Sequence, residues 1–204
     1  MAPRNPTLTR LEEKPMMRIF AAIALLLSVF VGRGLAAVET MEAVGRGETR
    51  YLGMIKVFDA TLYVDPAARH LPVLHPRASR CLKLTYAVDV EADDFVAAAD
   101  TVLSRQHDEK TLAAVADGIR TLHGSYRDVE AGDSYTLCYS ARDEKTRLAK
   151  NGTELAAVPS AEFAAIYFGI WLGEKESIDE RLQRRLVGTA QRATVAAADR
   201  EVAR

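Results

Sequence analysis

The 204-residue chain has little of what usually announces a chemistry: two cysteines, four histidines and a formal net charge of −1. Two cysteines are too few for a small scaffold held together by disulfides. Without a Cys-x-x-Cys spacing or a nearby histidine, they do not read as a metal or redox pair either. A charge near zero lacks the basic excess with which a nucleic-acid binder neutralises phosphates. His70, His75, His107 and His123 show no i, i+4 pairing, so they do not form a helical metal site. There is no Gly-x-Ser-x-Gly elbow, phosphate loop or His-Glu-x-x-His motif. Repeats, low-complexity tracts and interdomain linkers are also missing. With 49% hydrophobic and 27% charged residues, the composition is that of one globular domain.

No apolar run reaches the roughly 20 residues of a transmembrane helix. The longest, Ile19 to Gly32, follows Arg4, Arg10, Lys14 and Arg18 and precedes the small-residue stretch Gly34-Leu35-Ala36-Ala37. A basic region, a short apolar region and a small-x-small site make a secretory signal peptide. The sequence therefore divides into a signal peptide (1–36), one domain (37–188) and a charged, alanine-rich tail (189–204). Cleavage after Ala36 leaves 168 residues with a net charge of −4. The expected product is periplasmic or secreted, with no stable membrane anchor and no nucleic-acid partner. In an oxidising compartment Cys81 and Cys138 can close a bridge stabilising by roughly 2–4 kcal/mol. Both fall on the more polar phase of predicted strands; two separate thiols are the preferred reading and a disulfide the alternative.

Met54 to Val64 reads as a strand, apolar on both phases and therefore covered on both faces. Cys81 to Val90 alternates cleanly, with Leu82, Leu84, Tyr86, Val88 and Val90 inward. Helical spacing covers about Asp93 to Ser104 and about Glu109 to Leu122. Glu91, Asp93 and Asp94 are favourable helix-start charges. A Gly132-Asp133 turn leads to a strand at Ser134–Ser140. Asn151-Gly152 then joins two further strands, since both residues tolerate positive φ. Ser160 caps a helix with a wide apolar stripe at Phe163, Ile166, Tyr167, Ile170 and Trp171. Ser177-Ile178-Asp179-Glu180 reads as a capping box for a last helix. The element order predicts one α+β domain on a mostly antiparallel sheet.

Candidate functional residues are few. Gly45-Arg46-Gly47 precedes a strand rather than a helix, so it has no helix N-terminus to offer a phosphate. If the chain from Arg50 to Val64 is one unbroken strand, Arg50 and Phe58 project to the same face. An arginine beside an apolar cleft is a natural clamp for a carboxylate; a surface arginine at a strand end is the plainer alternative.

The segment GRGETRYLGMIKVFDATLYV, the Gly132-Asp133 turn with SYTLCY, the Asn151-Gly152 hairpin and AEFAAIYFGIWLGEKESIDERLQRRLVG together resemble the bacterial chalcone isomerase-like family. The resemblance runs from about Val44 to Gly188. It implies an open-faced β-sandwich, a large antiparallel sheet with helices packed on one side and a ligand cleft between them. Plant members close a flavanone ring in that cleft, and related plastid proteins bind fatty acids. Arg50 matches the arginine that meets the ligand's polar end. The isomerase threonine falls at Phe58, and its tyrosine and lysine fall near Phe95 and Ala98, so apolar groups replace the catalytic donors. The expectation is an exported, non-catalytic protein binding a small apolar or amphipathic ligand such as a fatty acid, with no metal or cofactor. Arg50, Phe58, Tyr63 and Phe95 are its candidate binding residues. The alternatives are an isomerase or lyase using Arg50 with Tyr51 or Tyr63, a haem binder, or a structural protein of an envelope complex.

Overall fold

The computed structural model describes residues 40–188; the signal peptide expected over residues 1–36 and the tail from residue 189 lie outside the described residues. The chain divides into residues 1–31 and 32–204, and everything below concerns the second unit. Six strands, β1 (Glu42–Tyr51), β2 (Ile55–Val64), β3 (Arg80–Tyr86), β4 (Ser134–Ser140), β5 (Lys145–Lys150) and β6 (Thr153–Pro159), pair in chain order. All five pairings are antiparallel. The helices are α1 (Ala92–Gln106), α2 (Glu109–Ala114), α3 (Ala116–His123), α4 (Ala161–Leu172) and α5, residues 180–188. They pack over one side of an open sheet, the architecture expected from the sequence.

Alternation puts Phe58, Ala60, Leu62 and Val64 of β2 on the buried face, beside Leu82, Leu84 and Tyr86 of β3 and Tyr135, Leu137 and Tyr139 of β4. The other face of β2 keeps solvent contact: Asp59 is exposed, and Thr61 and Tyr63 half-exposed. The expected cover on both faces of β2 is therefore corrected, because the helices lie on one side only.

The run from Arg50 to Val64 is not one strand. Leu52 (φ 50°) and Gly53 (φ 74°) are both left-handed, and the Met54 N–H donates to the Tyr51 carbonyl at 3.1 Å. The chain reverses there, so Thr49 lies opposite Phe58 and Arg50 opposite Lys56, past a bulge. The shared parity of Arg50 and Phe58 is lost at this turn. Other local signals translate directly. Asn151 (φ 49°) and Gly152 (φ 82°) turn β5 into β6. β3 stops at Tyr86 rather than Val90, whose strand pairing is a single bridge to Val129. The single helix expected over Glu109 to Leu122 is split at Val115.

α4 begins where Ser160 accepts a hydrogen bond from the Phe163 N–H at 3.0 Å. It is buried around its circumference rather than along a stripe, since it lies between the sheet and helices α1 and α3. Among its fully buried side chains, Phe163, Phe168 and Ile170 each stabilise the fold by roughly 1.5–3 kcal/mol. The last helix is capped by Asp179, not Ser177: its carboxylate accepts from Arg181 N–H (2.8 Å) and Leu182 N–H (3.0 Å). α5 then crosses β1 closely. A Cβ on Gly45 would stand 2.1 Å from the Leu186 carbonyl oxygen, and one on Gly47 would stand 2.7 Å from Leu182 Cδ1. The glycine pair is therefore a seat for this helix. Cys81 and Cys138, directly opposite one another on β3 and β4, are joined by a disulfide. The reading of two separate thiols gives way to register, which sequence spacing does not reveal.

Candidate functional site

At the end of the sheet nearest the β1–β2 hairpin, aromatic residues from five places converge on the buried face. Phe58 comes from the start of β2, Tyr86 from the end of β3 and Tyr135 from the start of β4. Phe95 faces them from α1, and Tyr126 from the segment after α3. Neighbouring rings stand 5.2–6.3 Å apart, mostly edge to face, a spacing that suits ring quadrupoles. They surround a cavity of about 270 Å³. Leu82, Leu84, Leu137 and Leu148 form its floor on the sheet, and Ile170 and Trp171 of α4 lie across from them. Its open side is marked by lining residues that keep solvent contact: Asp94 and Ala98 on α1, with Thr49, Val57 and Ile178. Such a concave, chiefly apolar space with a few polar groups is what small-molecule recognition requires.

The polar groups inside are phenols. Tyr126 and Tyr167 share a hydroxyl hydrogen bond of 3.0 Å. The Tyr135 hydroxyl donates to the Arg127 carbonyl and accepts from the Arg127 N–H, each at 2.8 Å. Burial raises the proton affinity of Tyr86, Tyr126, Tyr135 and Tyr167 above that of an ordinary phenol. These hydroxyls therefore stay protonated in the physiological range. The one charged group on the lining, Asp94, is exposed at the open side.

The candidate residues separate. Phe58 and Phe95 line the cavity. Tyr63 lies opposite Cys81 on the other face of the sheet, and Tyr51 is at the hairpin tip; neither reaches the cavity. Arg50 lines a neighbouring polar cleft with Glu48, Asp179, Glu180 and Arg184. Its Nε meets Glu48 at 2.7 Å, and its Nη1 donates to the Met54 carbonyl at 3.0 Å. Arg50 holds the Glu48 carboxyl below its usual range. Cavity and cleft adjoin where Thr49, on the cavity, donates to Asp179, on the cleft, at 3.2 Å.

None of the four histidines lines the cavity. His75 accepts from the Arg77 N–H in its own loop, and His107 sits on the α1–α2 surface. His123 is half-buried beside Tyr126 and Tyr167. Among the described residues there is no cluster able to hold a metal ion, and no helix is long and apolar enough to cross a membrane. Thr49, Tyr86, Tyr126, Tyr135 and Trp171 were not among the candidates. The inward phase of Tyr86 and Tyr135 and the apolar stripe holding Trp171 were visible signals, but nothing local says that these residues meet.

A family model described as chalcone isomerase-like matches residues 38–188. Comparison with curated protein sequences gives no match. Among solved structures, this fold is similar to the crystal structure of a fatty-acid binding protein of Arabidopsis thaliana. That likeness has a TM-score of 0.57 and 13% identity, and covers 75% of this chain and 90% of the plant one.

Proposed function

Since this chain belongs to the chalcone isomerase-like family, we propose that it is a non-catalytic binding protein that carries a small apolar or amphipathic molecule in the ring-lined cavity. The carrying observation is that cavity itself: about 270 Å³, walled by leucines and aromatic rings, with protonated phenols as its internal polar groups. The fatty-acid binding named for the similar Arabidopsis fold supports a ligand with an acyl-like tail. No cation lines the cavity, so a carboxylate head would emerge past Thr49 into the adjoining cleft, where Arg50 waits with Arg184. Arg50 is then an external head-group contact rather than a clamp inside the pocket.

Native mass spectrometry of purified protein, followed by solvent extraction, tests the reading. A co-purifying lipid-like molecule, or saturable displacement of a fluorescent fatty acid, is the expected result. Protein that takes up no apolar probe, or that turns over a chalcone, overturns it. Arg50→Ala should weaken a carboxylate-bearing probe by about tenfold and leave its methyl ester unaffected. We read residues 1–36 as an export address, so N-terminal sequencing of protein recovered from outside the cytoplasm should begin at Ala37; an N-terminus retaining the apolar run would count against export.

A further inference from the structure

All four large apolar side chains that the described residues expose sit in one turn: Tyr51 (62% exposed), Leu52 (75%), Met54 (74%) and Ile55 (55%). Single exposed apolar residues are ordinary, but an uninterrupted cluster marks a contact surface. Leu52 is also the wrong residue for the turn it occupies. Its φ of 50° is a conformation that glycine or asparagine adopts more readily. With its side chain turned mostly to solvent, the leucine serves neither the turn nor the core.

The charges around the tip are layered. Tyr51 lies opposite Ile55, and one register step toward the body Arg50 lies opposite Lys56. Moving away from the domain, the order is therefore a pair of cations, an aromatic paired with an aliphatic, then Leu52 and Met54. That is the order of a membrane interface: phosphates, an amphipathic boundary that favours tyrosine, then acyl chains. Arg50 and Lys56 are each bound by an acid on the side toward the domain, Glu48 and Asp59. The same two strands supply Thr49, Val57 and Phe58 to the cavity, so the exposed tip and part of the cavity wall belong to one hairpin.

We propose that Tyr51–Ile55 inserts shallowly into a phospholipid bilayer, with Arg50 and Lys56 at the level of the phosphates, and so places the cavity's open side against the lipid. The purpose assigned to this contact, passage of an apolar ligand between bilayer and cavity without crossing water, rests on the carrier reading above. Insertion itself does not.

Two variants of the full chain test the contact position by position. Leu52→Cys carrying an environment-sensitive dye should shift to the blue on adding phosphatidylcholine vesicles containing a minority of phosphatidylglycerol. Dye at Glu144→Cys, in the β4–β5 turn at the opposite end of the sheet, should not shift. L52D/M54D, introduced into the dye-bearing Glu144→Cys background, should lower transfer of a fluorescent fatty acid from those vesicles by about tenfold or more. The same variant should bind that fatty acid as well as before in vesicle-free solution. An unshifted dye at residue 52 overturns the proposal, as does undiminished transfer by L52D/M54D. Concentration-dependent dimerisation abolished by L52D/M54D, with no dye shift on vesicles, would assign the tip to a second copy and also overturn it. Loss of binding in vesicle-free solution by the unmutated protein would instead remove the carrier reading and leave the dye experiment standing.

Discussion

The buried face of the sheet is finished differently at its two ends. At the hairpin end, uncharged rings stand back from one another and leave a cavity. At the other, the same face holds Arg80, fully buried, with its guanidinium 4.7 Å from the Tyr139 ring centroid and 4.6 Å from that of Phe168. The Arg80 Nη1 donates to the Ala78 carbonyl at 3.0 Å, while among the described residues its Nε and Nη2 have no hydrogen-bond partner and no carboxylate pairs with it. Burial brings its pKa down to about 10, so it stays a cation at neutral pH. One end is therefore closed by a planar charge between two rings, and the other is left open to something uncharged. Aromatic residues serve both: stacked against a guanidinium they fill space, and set edge to face around one another they frame it.

The disulfide adjoins the closed end, so removing it tests that end most severely. Cys81→Ala/Cys138→Ala should lose about 4 kcal/mol of unfolding free energy in urea, for a bridge spanning 57 residues; an unchanged midpoint would show that the closed end is held by packing alone. Arg80→Ala should cost about 3–5 kcal/mol by the same measurement, because it empties the slot between two rings. Arg80→Met should restore all but about 1.5 kcal/mol, since an unbranched apolar chain fills the slot without a buried charge. If Met is as damaging as Ala, the charge itself holds the rings.

Truncation at the open end should be milder. Phe95 is half-buried and faces space already present, so Phe95→Ala should cost only about 1–2 kcal/mol, while weakening an apolar probe by about tenfold in fluorescence titration. The smallest effect concerns pH. Burial lowers the proton affinity of His123 despite Asp100 nearby. The unfolded chain then binds the proton more readily, so stability is complete above the ordinary histidine value of 6.5 and declines as pH falls below it. His123→Gln should flatten that slope in melting curves recorded between neutral and mildly acidic pH. Asp133, pushed down to about 2 by Lys150, Asn151 and the Glu130 N–H, adds a separate loss as pH falls from about 4 toward 2.

Local periodicity and turn chemistry carried most of the fold. Asn151-Gly152, the alternation of Leu82, Leu84 and Tyr86, and the Ser160 cap are each decided by neighbours in sequence, and each is where it was expected. The shared parity of Arg50 and Phe58 is broken by a turn that Gly53 could signal but whose first left-handed residue, Leu52, no turn preference identifies. The disulfide was undecided because spacing is silent on the register that sets Cys81 opposite Cys138. The cavity was only half legible for the same reason. Phe58 and Phe95 came from a resemblance, whereas Tyr86, Tyr126 and Tyr135 meet through pairings between segments far apart in the chain.

Register also bears on how the chain reaches this state. Five pairings join consecutive strands, and four of them close over turns or a modest loop. The exception is β3 with β4, which must find one another across the whole excursion through α1, α2 and α3. Loop closure makes that junction the slow one to search for, and it is the junction the cysteines join. A chain oxidised before it collapses would have its most distant strand pairing already made and only local hairpins left to form. Refolding from urea should accordingly be faster for the oxidised protein than for the reduced one, with the order of assembly running from sheet to roof.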